Sequence, residues 1–388
     1  MIELPQYLSF LGKLFYLPHG AMAEEWERLP ADAQRGFLRQ LLKVGYGVFA
    51  LQTLGEERIP EELRPAFLQD KETRTAKSML HDLGLKKLYA ELEAEKLRFA
   101  PMKGIDLAFR IYPIPSFRSF GDWDIFFHPD DIDRALRYLR ATGWVELYDK
   151  SKWDSHHYSP MRKDSFMLEP HWTLSCCEKS APLQIWQFIV PSAPGRSLHY
   201  LCPELQLMLL ARHVSEYHYW GCSFAKLLLD AAFVMRHDKI DWNRQRRICA
   251  ELQQPYSGNL FAAFPDFFPA ETIQEMQGAP EQVNAYRTLF EERESFCEIP
   301  RTEVYMSLPD RFSPFWFLHA IRILFSRKNL RMKYHLPERG GRLMFWAAYC
   351  KEIWHKISSF VRYLFPWGRK HSQVIAKQLN LIRIAEKK

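Results

Sequence analysis

Between Leu97 and Trp172 the apolar pattern shortens from helical spacing to brief strand-like runs, and two of those runs carry carboxylates. A carboxylate in a buried strand is costly unless something neutralises it, so this stretch constrains the fold more than any other. Leu97-Arg98-Phe99-Ala100-Pro101-Met102 reads as a short strand closed by Lys103-Gly104. Ile105 to Ile111 returns to helical spacing, and Tyr112-Pro113-Ile114-Pro115 ends it. Asp122-Trp123-Asp124-Ile125-Phe126-Phe127 alternates and then runs continuously apolar, as a buried strand does. Pro129-Asp130-Asp131 caps a helix that Gly143 closes, and residues 144–149 and 165–174 read as two further strands. This order predicts an α+β core, a small mixed sheet with helices packed on one side.

Helical spacing surrounds that core. Residues 5–95 repeat apolar positions every three and four residues, through Phe37, Leu41, Leu42, Val48 and Leu51 and again through Met79, Leu80, Leu83, Leu88 and Leu92. Pro60 and Pro65 break the middle. Helical pattern resumes from Pro203 to Asp238 and alternates with Pro-broken segments to the end. A chain of 388 residues exceeds most single domains. The expected division is a helical N-terminal region over 1–95, a core over 96–200, a helical domain over 201–320 and a basic helical region over 321–388.

Charge is unevenly spread. Residues 321–388 carry 16 Lys and Arg against three acids, a balance of +13 in a chain of net charge +7, so the remainder stands near −6. Such a block suits an anionic partner, nucleic acid or a membrane surface. Within it Trp346, Tyr349, Cys350, Ile353, Ile357, Phe360, Val361 and Leu364 form a stripe beside Lys351, Lys356 and Arg362. The bland alternative is a core-facing helix with solvated charges. Seven cysteines without a CxxC spacing fit free thiols in a reducing compartment. Glu3 and Lys13 argue against a secretion signal, and no apolar run is long enough to span a bilayer, so a cytoplasmic protein without a transmembrane segment is expected.

Asp122 and Asp124, two apart on the expected strand, should leave the same face. Carboxylates that close repel unless a cation lies between them, and an oxygen-rich site suits Mg²⁺ or Mn²⁺. Gly121 before the pair admits a bulky ligand. Glu169 stands in Phe166-Met167-Leu168-Glu169-Pro170-His171-Trp172, and His171 shares its face by the period-2 rule. Three carboxylates can hold two metals for phosphoryl transfer. Lys103-Gly104 and Arg118-Ser119 offer positive charge and turns with available N–H groups.

MetLysGly at 102–104, TyrPro at 112–113, Arg118, GlyAspTrpAspIle at 121–125, Gly143 and LeuGluProHisTrp at 168–172 together resemble the uncharacterised nucleotidyltransferase family of the polymerase-β-like superfold. The likeness extends more weakly to His213, to Asp230 in LeuLeuLeuAspAlaAla and to Ile240-Asp241-Trp242. The resemblance implies transfer of a nucleoside monophosphate from an NTP to an unidentified acceptor with release of pyrophosphate, using two divalent metals. It makes Asp122, Asp124 and Glu169 the metal ligands, with Glu169 also assisting deprotonation of the acceptor. Lys103, Gly104 and Arg118 would hold the triphosphate, and His213, Lys226 and Asp230 would close over the site from the helical half. Two departures stand out: the superfold's usual Gly-Ser turn is Lys-Gly here, and Pro170 after the third carboxylate suggests an edge strand or a strand end.

Three rivals compete with this reading. A glycosyltransferase could use AspTrpAsp as its metal site, but the preceding residues look helical rather than nucleotide-binding α/β. A zinc site could draw on His156, His157, Glu169 and His171, although neighbouring histidines on a strand point to opposite faces. A non-catalytic nucleotide- or polyanion-binding protein could retain the fold.

Overall fold

The computed structural model describes residues 4–147, 156–177, 182–219, 225–291 and 372–386. The apolar stripe expected over residues 346–364, and residues 321–371 of the basic block, lie outside them. The chain divides into two compact units, one of residues 1–218, 222–287 and 385–388, the other of 219–221 and 288–384. The sheet and the site belong to the first.

Five helices precede the sheet: α1 (Leu4–Tyr16), α2 (His19–Glu27), α3 (Ala31–Val44), α4 (Gly47–Leu54) and the long α5 (Arg64–Ala94). There follow β1 (Phe99–Pro101), α6 (Lys103–Asp106) continued by a π turn to Ile111, β2 (Trp123–Phe127), α7 (Ile132–Ala141), β3 (Val145–Glu146), β4 (Met161–Lys163) and β5 (Phe166–His171). After α8 (Pro182–Trp186), β6 (Ile189–Pro191) and β7 (His199–Leu201) form a separate hairpin. Then come α9 (Pro203–Tyr219), α10 (Ala225–His237), α11 (Trp242–Glu251), α12 (Ser257–Phe261), α13 (Ala270–Met276) and α14 (Pro280–Glu291). The second unit contributes α15 (Ser372–Ala385). The fold is α+β, as the sequence pattern implies. No helix among the described residues is long and apolar enough to cross a membrane.

The main sheet runs β1-β2-β5-β4-β3. β2 and β5 are parallel neighbours in a register that sets Trp123 against Leu168, Asp124 against Glu169 and Phe126 against His171. Parallel strands need a long crossover, and α7, β3 and β4 lie within it. β1 pairs antiparallel with β2, and β4 with β5. β5 is therefore central and not an edge; of the two readings Pro170 allowed, the strand end is the one met, since β5 closes at His171. The proline is tolerated because the β4 ladder ends at Leu168, beyond which Pro170 only accepts, from Tyr158 N–H at 2.8 Å.

Helices cover both faces of the sheet, where one covered face was expected. Trp123, Ile125 and Phe127 pack with Leu85, Leu88 and Leu92 of α5 and with Ala135, Leu136 and Leu139 of α7. The opposite residues Ala100 and Phe126 pack with Leu205, Met208 and Leu209 of α9 and Ile248 of α11. Strand β2 is buried along its whole length for this reason. The core stripe of α5 is also offset from the one its apolar residues suggest: His81, Leu85, Leu88 and Leu92 face inward, whereas Met79, Leu80 and Leu83 are exposed. A polar residue, His81, takes the inward position because its Nδ1 accepts from Trp123 Nε1–H at 2.8 Å.

Truncating Leu92, which is fully buried, to Ala should destabilise the protein by about 2–5 kcal/mol, and the same change at exposed Leu83 by less than about 0.5 kcal/mol. Denaturant midpoints of the two variants would compare them. Equal losses would mean that α5 presents a different face to the sheet.

Candidate active site

The register of β2 and β5 brings Asp124, Glu169 and His171 together. Each offers one ligand atom, and the three atoms lie within 4.8 Å of one another. Among the described residues this trio is the group that converges so closely. His171 Nε2 is 2.8 Å from Asp124 Oδ1 and 3.8 Å from Glu169 Oε2. His171 is fully buried and Asp124 nearly so, while Glu169 keeps 19% of its side chain exposed. Asp122 precedes the strand, one residue short of the expected boundary, and is not part of the trio. It remains within electrostatic reach of Asp124 and Lys103.

Lys103 offsets this negative charge. Its Nζ donates to Asp124 Oδ1 at 2.7 Å, from a backbone held at φ +55°, which costs a non-glycine residue about 1–3 kcal/mol. Burial alone would raise Asp124, yet the Lys103 ammonium and the His171 hydrogen bond hold its carboxyl well below the usual range. Burial and the adjacent Asp124 push Asp122 upward instead. Asp122, Asp124 and Glu169 against Lys103 leave a residual of two negative charges if the histidines are neutral, which a divalent cation would balance. The donor set, two carboxylates and an imidazole with a third carboxylate beside them, fits such an ion.

Arg118 and Asp230 form a second, buried cluster. Arg118 Nε donates to Asp230 Oδ1 at 2.7 Å and Nη2 to Oδ2 at 2.8 Å, while Nη1 donates to the Ser119 carbonyl. Tyr112 donates to Asp230 Oδ1 at 2.7 Å, and the hydroxyls of Tyr46 and Tyr112 are 3.0 Å apart. The guanidinium expected to hold a triphosphate is thus engaged by a carboxylate of α10. Lys226, also on α10, reaches the Ser119 carbonyl at 2.6 Å and Oγ at 3.2 Å. Burial, with Arg118 nearby, brings the Lys226 ammonium down to about 7.

Gly45 makes room for this cluster. At φ +87°, a Cβ there would stand 2.5 Å from Ser119 Oγ and 3.0 Å from Arg74 Nη2. Gly104 is buried, and Phe120 occupies the space its side chain would need, at 2.6 Å. A Cβ at Gly121 would meet nothing within 4 Å, so no neighbouring atom requires glycine there.

Histidines complete the surroundings. His156, His157 and His171 have ring centroids 4.8–5.2 Å apart. The alternation that would send neighbouring histidines to opposite faces does not apply, because residues 156–157 join the sheet through an isolated bridge of His157 to His171 instead of a regular strand. His213 on α9 is within electrostatic reach of Lys103, Asp124 and His171. Burial holds His171 and His213 at about 3 and His156 at about 2. Sequence spacing gave no site role to Arg74, Tyr46 or Tyr112, since the contacts that bring them to Ser119 and Asp230 join elements far apart in the chain.

These imidazoles make the fold acid-sensitive. Each stays neutral when folded but takes up a proton when unfolded at any pH between its folded value and the ordinary 6.5. The unfolded chain then binds more protons, so stability should fall as pH drops from about 6.5 toward 3. Denaturant midpoints at pH 7.5 and pH 5 measure this, and equal midpoints would mean that the rings are solvated.

No curated protein matches the chain. The family described as uncharacterised nucleotidyltransferase matches residues 25–254, a span that contains α5, the whole sheet, the acidic trio, Arg118 and Asp230. With more than half of its 388 residues matched, the chain belongs to the uncharacterised nucleotidyltransferase family.

Proposed function

We propose that the protein transfers a nucleoside monophosphate from an NTP to an acceptor and releases pyrophosphate, with Asp122, Asp124 and Glu169 binding Mg²⁺ or Mn²⁺. The observation that carries this is the pairing of Asp124 with Glu169 across adjacent parallel strands, beside Lys103. A divalent ion held there would neutralise phosphate charge and lower the pKa of an attacking oxygen. Asp124, kept ionised, is suited to bind such an ion permanently. Glu169, partly exposed, is placed to accept the acceptor's proton.

Lys226 and Arg74, on either side of the Ser119 hydroxyl, would provide a cationic flank for the triphosphate, while Lys103 stays on Asp124. Arg118 acts as a positioning residue: its pairing with Asp230 sets α10, and with it Lys226, against the sheet. His213 approaches from α9. A glycosyltransferase would turn over nucleotide-sugars in place of plain NTPs, and a non-catalytic binder would turn over neither.

Incubation with each α-³²P-NTP, Mg²⁺ or Mn²⁺ and a cell lysate should give labelled product from wild type. Asp124→Asn should lose at least about a hundredfold in rate, as expected for removal of a main electrostatic anchor. Equal labelling by both proteins would end the proposal.

Lys226 supplies an independent check. A triphosphate would favour its charged form, so NTP binding near pH 8 should draw in a proton. Calorimetry in two buffers of different ionisation enthalpy would detect this uptake. It should vanish in Lys226→Met, and its persistence there would remove Lys226 from the triphosphate site.

A further inference from the structure

We infer that Arg74 of α5 is the residue that recognises the terminal phosphate, so that the site selects a nucleoside triphosphate over a diphosphate. This deepens the proposed function and rests on it for the presence of an NTP beside Asp124.

The way Arg74 is held leaves its outer end unused. Its Nε donates to Asp70 Oδ1 at 2.7 Å, one turn earlier on the same helix. Among the described residues Asp70 is its hydrogen-bond partner, which leaves Nη1 and Nη2 to be met by solvent or a ligand. A carboxylate and a guanidinium often meet through two parallel bonds. Here they share one, and Asp70 Oδ2 is buried with no partner. An ion pair at this helical spacing adds little stability, too little to repay a buried carboxylate oxygen left unmet. What the pairing does achieve is to aim the two terminal nitrogens of Arg74.

Two glycines between α3 and α4 keep those nitrogens uncovered. A Cβ at Gly47 would collide with Asp70 Oδ2, and one at Gly45 would stand 3.0 Å from Arg74 Nη2 and 3.2 Å from Nη1. The same Cβ at Gly45 would stand 2.5 Å from Ser119 Oγ, so the missing side chain leaves a space that Arg74 and Ser119 both border.

The order of the charges indicates which phosphate arrives there. Lys226 Nζ is 3.2 Å from Ser119 Oγ and within electrostatic reach of both Asp122 and Arg74. Arg74 is not among the leading charges that act on Asp122 or Asp124. The cations thus run outward from the acidic pair, Lys226 first and Arg74 beyond it. A metal held by the carboxylates serves the α-phosphate, where the bond breaks, and a phosphate chain that continues past Lys226 meets Arg74 with its last member. A guanidinium fork matches two oxygens of a terminal phosphate, a geometry that a lysine cannot reproduce. A diphosphate anchored at the same metal ends one phosphate short of it.

Calorimetry on the full-length protein with Mn²⁺ tests this, using the α,β-methylene analogues of the four common NTPs and NDPs, which cannot release pyrophosphate. The triphosphate that binds best should exceed its diphosphate by at least about thirtyfold, the scale of two hydrogen bonds between ions. In Arg74→Gln the preference should fall to about threefold or less, with diphosphate affinity within about twofold of wild type, which also reports that the variant is folded. Arg74→Lys should lose the preference in the same way. Asp70→Asn, which frees Arg74 without touching the nucleotide, should lower it by about threefold at unchanged diphosphate affinity. Equal binding of triphosphate and diphosphate by wild type, or an undiminished preference in Arg74→Gln, would overturn the inference and leave the transferase reading intact. Absence of binding of any triphosphate by wild type would sink both together.

Discussion

Asp124 and Glu169 face each other across a parallel ladder whose outer layers are apolar, and the surrounding residues are arranged to offset the repulsion between them. In bulk water two carboxylates at this spacing would interact weakly, but burial between two layers of packed side chains raises the cost. The Lys103 ammonium at 2.7 Å and the His171 ring at 2.8 Å answer it locally. Lys103 holds its place from a left-handed backbone conformation, so the chain accepts strain to keep a cation at this position. A core that concentrates negative charge so narrowly is more readily explained by a ligand it must bind than by stability.

The second anchor is the buried Arg118–Asp230 pair. It ties the turn before β2 to α10, and the hydroxyls of Tyr112 and Tyr46 extend the tie to the N-terminal helices. A buried ion pair contributes little net stability against its desolvation, but removing either partner strands the other. Its value here is geometric: it ties the segment that carries Ser119 to α10, whose Lys226 reaches the Ser119 carbonyl and hydroxyl.

Much of the architecture was legible in the sequence because its signals are local. The GlyAspTrpAsp run, the LysGly turn and LeuGluProHisTrp mark the sheet, and period-2 spacing places His171 on the face of Glu169. Strand pairing is not local, so covering of both faces and the central position of β5 emerged only from the fold. Arg118 shows the same limit at the site. Its position before the acidic pair suggested phosphate binding, while its partner, Asp230, lies 112 residues away and no spacing rule reaches it. The two histidines at 156 and 157 misled for another reason, since alternation governs regular strands and theirs is an isolated bridge.

The parallel pairing has one more consequence. An antiparallel couple is set by its hairpin, so a changed turn shifts the register. Here β2 and β5 are separated by a crossover running from residue 128 to residue 165, and the alignment of Asp124 with Glu169 depends on the ladder and not on the length of that excursion. Insertions or deletions in the loops of the crossover can therefore be accommodated without shifting Asp124 against Glu169.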